Sequence, residues 1–375
     1  ELRNIDRFLK LLVKKNGSDL YIKSGSTPRI RINGQIEDLS REILSPQAVD
    51  EILGYIISDQ DQSTFEREKE VEFIYEIRGL GRFRINVYQQ MMGLAIAIRY
   101  IHIDIPSFED LNLPPVLYSL ITKPHGLLLV TGSTGSGKST TLAAMIETLN
   151  RTSSLNIITI EDPIEFAFKE KRCTIQQREV GRDTPSWPKA LKRIMRQAPD
   201  VIMLGEIRDS ETILLALTAA NTGHLVLSTL NTMDARQSIN RIISLASPAM
   251  SDEIRHLLAA TLVGTVSVRL LPCSEKSGRV PAVEVLVATE TVRKMITDPE
   301  QVGHLRQIIS EGYGQYGMQT FDQSLGNLHR SGLITLEEAL KHASSPTDFR
   351  IRARGIDGQS GMSWAAPEEE EEETE

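Results

Sequence analysis

"LLLVTGSTGSGKSTTLAAM", Leu127 to Met145, decides the class of fold. Leu127-Leu128-Leu129-Val130 is a short apolar run of the kind that fills a buried strand. From Lys138 onward, Leu142, Ala143, Met145 and Ile146 give a helix an apolar face. Between the two, glycine alternates with serine and threonine around a single lysine. So little side-chain bulk serves no packing purpose, whereas a backbone without Cβ atoms can close around an anion. Gly132-x-x-x-x-Gly137-Lys138-Ser139 is the Walker A spacing, in which backbone N–H groups and a helix N-terminus cradle phosphates. The binding candidates are therefore Gly132, Ser133, Thr134, Gly135, Ser136, Gly137, Lys138, Ser139 and Thr140, with ATP as the expected ligand. Lys138 is expected on the β- and γ-phosphates and the Ser139 hydroxyl on Mg²⁺.

Working outward, "IITIED" (157–162), "VIMLGE" (201–206) and "HLVLSTL" (224–230) repeat the pattern of an apolar run ending in polar residues, with helical stretches between. Runs of this kind are parallel strands buried on both faces, so the expected class is α/β. Ligands in such sheets bind beyond the carboxyl ends of the strands. Those ends carry Glu161, Asp162 and Glu165 after one run, and Glu206, Arg208 and Asp209 after another. Mg²⁺ takes hard oxygen ligands, and Glu206 fits the Walker B acid that helps to hold it. A hydrolytic water needs a carboxylate to polarise it, for which Glu161, Asp162 and Glu165 all qualify. His224 opens the last run and Asn231 follows it; the residues alone assign neither a role.

The first hundred residues have a different grammar. Ile5, Phe8, Leu9 and Leu12 mark an amphipathic helix, a second helix is expected around Gln47–Ile57, and short alternating runs mark strands. Asn33-Gly34 is expected to be a hairpin turn. Residues 1–100 thus form a small α+β domain. Pro106, Pro114 and Pro115 break regular structure, making 101–115 a linker. Residues 116–345 form the nucleotide domain with C-terminal helices, and 346–375 are expected to be a disordered acidic tail.

The 375 residues carry 42 Lys and Arg against 50 Asp and Glu, a net charge of −8. Seven glutamates in Glu368–Glu375 account for most of it, leaving a nearly neutral body that argues against a nucleic-acid partner. The two cysteines, Cys173 and Cys273, have no metal spacing, and no apolar run approaches the roughly 20 residues of a membrane span. No secretory signal opens the sequence, and a reduced, cytoplasmic setting is expected.

"GSTGSGKST", "TIEDPIEF", "QREVGRDT", "RQAPDVIMLGEIRD", "TAANTGHLVLSTL" and "GMQTFDQSL", with "SDLYIKSGSTPRIRINGQ" near the start, together resemble the type IV pilus retraction ATPases of the PilT/PilU group in the secretion ATPase superfamily. "GSTGSGKS", "SDLY" and "RQAPD" lie nearer the PilU side. The resemblance implies a RecA-like P-loop core behind a PAS-like N-terminal domain. It further implies a homohexameric motor, cytoplasmic and peripheral at the inner membrane, that drives pilus retraction and twitching motility through a membrane platform protein. A paralogous retraction ATPase is a further implied partner. By motif position Glu165 activates water, Glu206 is the Walker B acid, His224 is the first histidine of the His box, and Arg82, Arg84 and Arg99 reach the nucleotide. Asn231 stands where the second histidine falls, Met92 where an arginine is common, and Val268 where a glutamine is common. Three rivals remain. A pilus extension or type II secretion ATPase would bring a four-cysteine insert, a motor on DNA would bring a basic strip, and a weakly active ring subunit would support a paralogous motor.

Overall fold

The computed structural model describes residues 4–32, 34–101, 105–274 and 278–353. The chain divides into two units, Glu1–Asp104 with Glu165–Ala167, and Ile105–Ile164 with the residues from Phe168 onward.

The first unit is one antiparallel sheet with helices. Its strands are β1 (Asp19–Lys23), β2 (Arg29–Ile32), β3 (Gln35–Asp38), β4 (Glu70–Ile77), β5 (Gly81–Gln90) and β6 (Gly93–Ile101), ordered β3-β2-β1-β6-β5-β4. Period-two alternation sends Phe83, Ile85 and Val87 to a core that also takes Ile5, Phe8, Leu9 and Leu12 of α1 (Asn4–Lys14). That core includes the buried face of α2 (Pro46–Ile56). Arg82 and Arg84 point to the opposite face of β5. Arg84 pairs across the sheet with Arg99, which in turn pairs with Asp19. Gly34 has φ 85, as a turn there requires, while Asn33 lies outside the described residues. A helix absent from the sequence reading, α3 (Asp59–Glu68), buries no residue. It stands on its caps and on Phe65, which packs against the core: Ser58 accepts from the Asp61 N–H, Asp59 and Asp61 meet the positive helix end, and Lys69 closes it in a left-handed conformation.

The second unit is built on seven strands, ordered β13-β12-β7-β11-β10-β8-β9. They are β7 (Gly126–Thr131), β8 (Asn156–Glu161), β9 (Thr174–Glu179), β10 (Val201–Leu204), β11 (Leu225–Leu230), β12 (Leu262–Pro272) and β13 (Arg279–Val287). All neighbours run parallel except β12 and β13. Leu127 and Leu129 enter one core, Leu128 and Val130 the other, so continuous apolar strands are buried on both faces. Helices α4 (Val116–Ile121) and α5 (Lys138–Thr152) cover one face; α6 (Trp187–Ile194), α7 (Ser210–Asn221), α8 (Ala235–Leu245) and α9 (Ser251–Thr261) cover the other. Helices α10 (Glu290–Thr297), α11 (Leu305–Glu311), α12 (Tyr313–Tyr316), α13 (Phe321–Arg330), α14 (Leu336–His342) and α15 (Pro346–Ala353) complete the unit.

The units divide between Asp104 and Ile105, inside the expected linker, and one boundary expectation needs correction. Phe108 and Leu113, inside the expected linker, are buried in the core that holds Leu117 and Leu120. Residues 346–353 are not tail but α15, whose Phe349 is 2% exposed and packs with Leu325 and Leu328. Phe349, with Ala353 packed against the same cluster, docks this short helix. The remainder of the expected tail lies outside the described residues.

Candidate functional site

The parallel register aligns four strand ends along one edge of the sheet. Leu230 of β11 pairs with Thr131 of β7, and Leu204 of β10 pairs with both Ser228 and Ile160. The loop from Gly132 to Gly137 therefore lies beside Asn231, Glu206 and Asp162 in the chain's own topology. At Gly132, with φ 148, an added Cβ would collide with the Ser136 hydroxyl and lie 2.5 Å from the Val268 carbonyl oxygen. Gly137 caps α5 in a left-handed conformation, φ 96, which turns the first free N–H groups of the helix toward the loop. The Lys138 ammonium donates to the carbonyls of Gly132 (2.8 Å) and Ser133 (2.9 Å), so its stem curls over the loop it must serve. Ser136 is buried, and its hydroxyl has no hydrogen-bond partner among the described residues. An orphaned hydroxyl in a cradle of bare backbone fits a bound polyphosphate.

Glu206 is held at both oxygens. Asn231 Nδ2 donates to Oε1 at 2.6 Å, and Arg208 Nε donates to Oε2 at 3.0 Å. Arg208 also reaches Asp162 at 3.5 Å. Below them, the Thr229 hydroxyl donates to the Gly205 carbonyl at 2.5 Å and ties β11 to the turn after β10. A carboxylate has about four lone-pair directions, so two remain on Glu206 for a cation or its water. With the Ser139 hydroxyl on the first turn of α5, this is a hard oxygen donor set suited to Mg²⁺. No group of three or more His, Cys, Asp or Glu among the described residues holds a metal unaided. Magnesium on a nucleotide draws the rest of its shell from phosphates and water.

The other sequence candidates fall in different places. Glu161 is 5% exposed and accepts from the Thr159 hydroxyl (2.7 Å) and Gln177 (3.0 Å), which locks it into the sheet. Asp209 is the N-cap of α7, accepting from the Thr212 N–H at 2.8 Å. Glu165 is exposed and makes no hydrogen bond or ion pair among the described residues. His224 needs correction. It precedes β11, at the end of the sheet opposite the loop, and seven residue steps of about 3.3 Å put roughly 23 Å between it and Asn231. Its Nδ1 lies 3.0 Å from the Ala219 carbonyl at the end of α7, and its own carbonyl accepts from the Gly126 N–H. Within this chain it shapes a helix-to-strand turn and does not meet the loop. In the first unit, Arg99 is bound to Asp19 at 2.9 Å, Arg82 lies 3.7 Å from Glu76, and Arg84 has no ion pair among the described residues. The sequence alone assigns Arg208 no role; its only signal there is a basic residue two places after the Walker B acid.

A phosphate-binding loop between β7 and α5, in a parallel sheet whose adjacent strands end in an acid and an amide, defines a P-loop ATPase of RecA-like topology. The family model described as type II/IV secretion system protein matches residues 2–341, and the chain belongs to that family. The type IV pilus ATPase PilU of Pseudomonas aeruginosa is 40% identical over 346 residues, covering 92% of this chain and 90% of that protein. The type IV pilus retractation ATPase PilT of the same organism is 39% identical over 346 residues, covering 92% of this chain and all of that one (100%). A crystal structure of the pilus retraction motor PilT with bound ADP superposes with TM-score 0.83 at 40% identity, covering 93% and 99% of the two chains.

Proposed function

We propose that this chain is an ATP-hydrolysing motor that works as a homohexamer to retract type IV pili. The observation that carries the reading is the joint placement of the Lys138 loop and the Asn231–Glu206–Arg208 cluster at one sheet edge. Similarity over more than nine-tenths of the chain to PilU and PilT supports the direction of work.

The roles combine this geometry with the motif positions. Lys138 and the loop N–H groups hold the β- and γ-phosphates. Ser139 and Glu206 would hold Mg²⁺, which would supply positive charge to the phosphate oxygens. Glu165, the one exposed carboxylate of its run without a partner among the described residues, polarises the attacking water. Arg82, Arg84 and Arg99 share a sheet face in the first unit and supply positive charge to nucleotide held by a neighbouring copy. The motor sits at the cytoplasmic side of the inner membrane, where a platform protein takes up its motion. No helix among the described residues is long and apolar enough to cross a membrane. A paralogous retraction ATPase is the further partner.

The test is biochemical. Purified chain with Mg²⁺ and ATP should assemble as a hexamer by mass photometry and release phosphate, with DNA leaving the rate unchanged. A monomer without turnover, or turnover that depends on DNA, overturns the proposal.

A further inference from the structure

Glu284 is a carboxylate set in the middle of β13 between Val283 and Val285, and it is 6% exposed. Its neighbours in sequence and across the register, Ser267 included, are buried as well. Burying a carboxylate in a sheet core costs more than a valine would, so the position demands a use for the charge. Its Oε1 accepts the N–H of Ala235, the first residue of α8, at 2.9 Å, where a helix N-terminus favours an anion. From the paired strand β12, Arg269 lies over the Phe321 ring at 3.7 Å and reaches the Met233 carbonyl at 3.5 Å. Two side chains from the β12–β13 pair thus grip residues 233 and 235. The segment they grip begins at Asn231, whose amide holds Glu206. The same β12 borders the phosphate loop: the Thr131 hydroxyl donates to Ser267 at 2.9 Å, and Leu270 lies against Gly137.

We propose that Glu284, with Arg269, is a positioning pair for ATP hydrolysis: from the β12–β13 strands it fixes the start of α8 and thereby sets the Asn231 amide on the Walker B carboxylate. Among the described residues neither side chain makes a hydrogen bond or ion pair with the loop candidates for phosphate, so the pair acts on turnover and leaves binding alone. The inference rests on the ATPase reading above.

The experiment is a double-mutant cycle on the full chain with Glu284→Leu, Asn231→Ala and the double variant, beside Glu284→Gln and Lys138→Ala. Glu284→Leu should lower kcat about five- to tenfold with KM and nucleotide Kd within about twofold, as expected for losing one buried hydrogen bond. Glu284→Gln keeps an acceptor for the Ala235 N–H and should retain at least about half of kcat. If the pair works through Asn231, Glu284→Leu adds little to Asn231→Ala. Additive losses, equal loss in the Gln and Leu variants, or wild-type kcat in Glu284→Leu overturns the proposal. Should Glu284→Leu fail to assemble, Arg269→Met takes its place in the cycle with the same expectations for kcat and additivity. Phosphate release that survives Lys138→Ala at the wild-type rate refutes the ATPase reading, and this inference with it.

Discussion

Truncating Asn231 is the perturbation whose size the structure fixes best. Asn231→Ala removes a donor 2.6 Å from Glu206 Oε1 while leaving Arg208 on the other oxygen at 3.0 Å. Hydrogen bonds to charged groups are worth about 1.5–3 kcal/mol. The Glu206 side chain is 24% exposed, so water recovers part of the loss, and the lower end of that range, about 1.5 kcal/mol, is the appropriate figure. If the amide orients Glu206 in the transition state, that amounts to roughly a tenfold fall in kcat. Nucleotide affinity should hold within about twofold, because Lys138 and the loop are untouched. Steady-state phosphate release, a fluorescent-nucleotide titration and mass photometry of the ring separate these effects. Asn231→His replaces the amide with a longer donor able to carry charge, and should raise turnover severalfold over wild type. Wild-type kcat in Asn231→Ala would refute the reasoning and reduce Asn231 to a residue that closes the turn after β11.

Further expectations concern the base, the arginines and the buried acid. Glu165→Gln should keep ATP affinity and abolish hydrolysis, whereas Lys138→Ala loses both; full turnover in the Gln variant would move the role to Asp162. Arg84→Ala rings should be inactive, yet mixing them with Lys138→Ala subunits should restore activity if Arg84 serves a neighbour's nucleotide, with native mass spectrometry confirming subunit exchange. Burial pushes the Glu284 carboxyl up to about 7; the Ala235 N–H opposes this, Asp234 adds to it, and Arg269 and Arg306 oppose it. The folded chain thus holds a proton that the unfolded chain releases near pH 4.5, so this contribution to stability is present below that pH and lost as pH rises to about 7. A gap of that size is on the order of 3 kcal/mol, and the wild-type melting temperature should fall relative to Glu284→Gln between pH 5 and 8. Parallel profiles for the two proteins would contradict it.

The most legible parts of the chain were those where composition and position coincide. The loop at 132–140 advertises itself because phosphate binding requires bare backbone, and β7, β8, β10 and β11 are apolar runs that both faces of a parallel sheet demand. Helix α3 was illegible because it has no apolar face, and β9, "TIQQRE", because an edge strand can remain polar. The start of β12 was hidden since α9 ends at Thr261 and the strand begins at Leu262, with no Gly or Pro between. His224 and Asn231 flank one strand in the sequence, and strand geometry holds them a whole strand length apart, so the histidine lies away from the loop that Asn231 borders. The value of Asn231 itself was visible only as a departure from relatives. Its bond to Glu206 depends on two parallel strands lying side by side, which spacing along the chain does not reveal.

The central claim is that ATP turnover by this chain withdraws pili, and the direction of that work is read most directly on cells. Surface pili would be counted by electron microscopy after deletion of the gene, with and without return of the wild-type or Lys138→Ala chain. The account predicts heavily piliated, non-twitching cells that only the wild-type chain restores. Bald cells after the deletion would contradict it and mark the chain as a motor of extension.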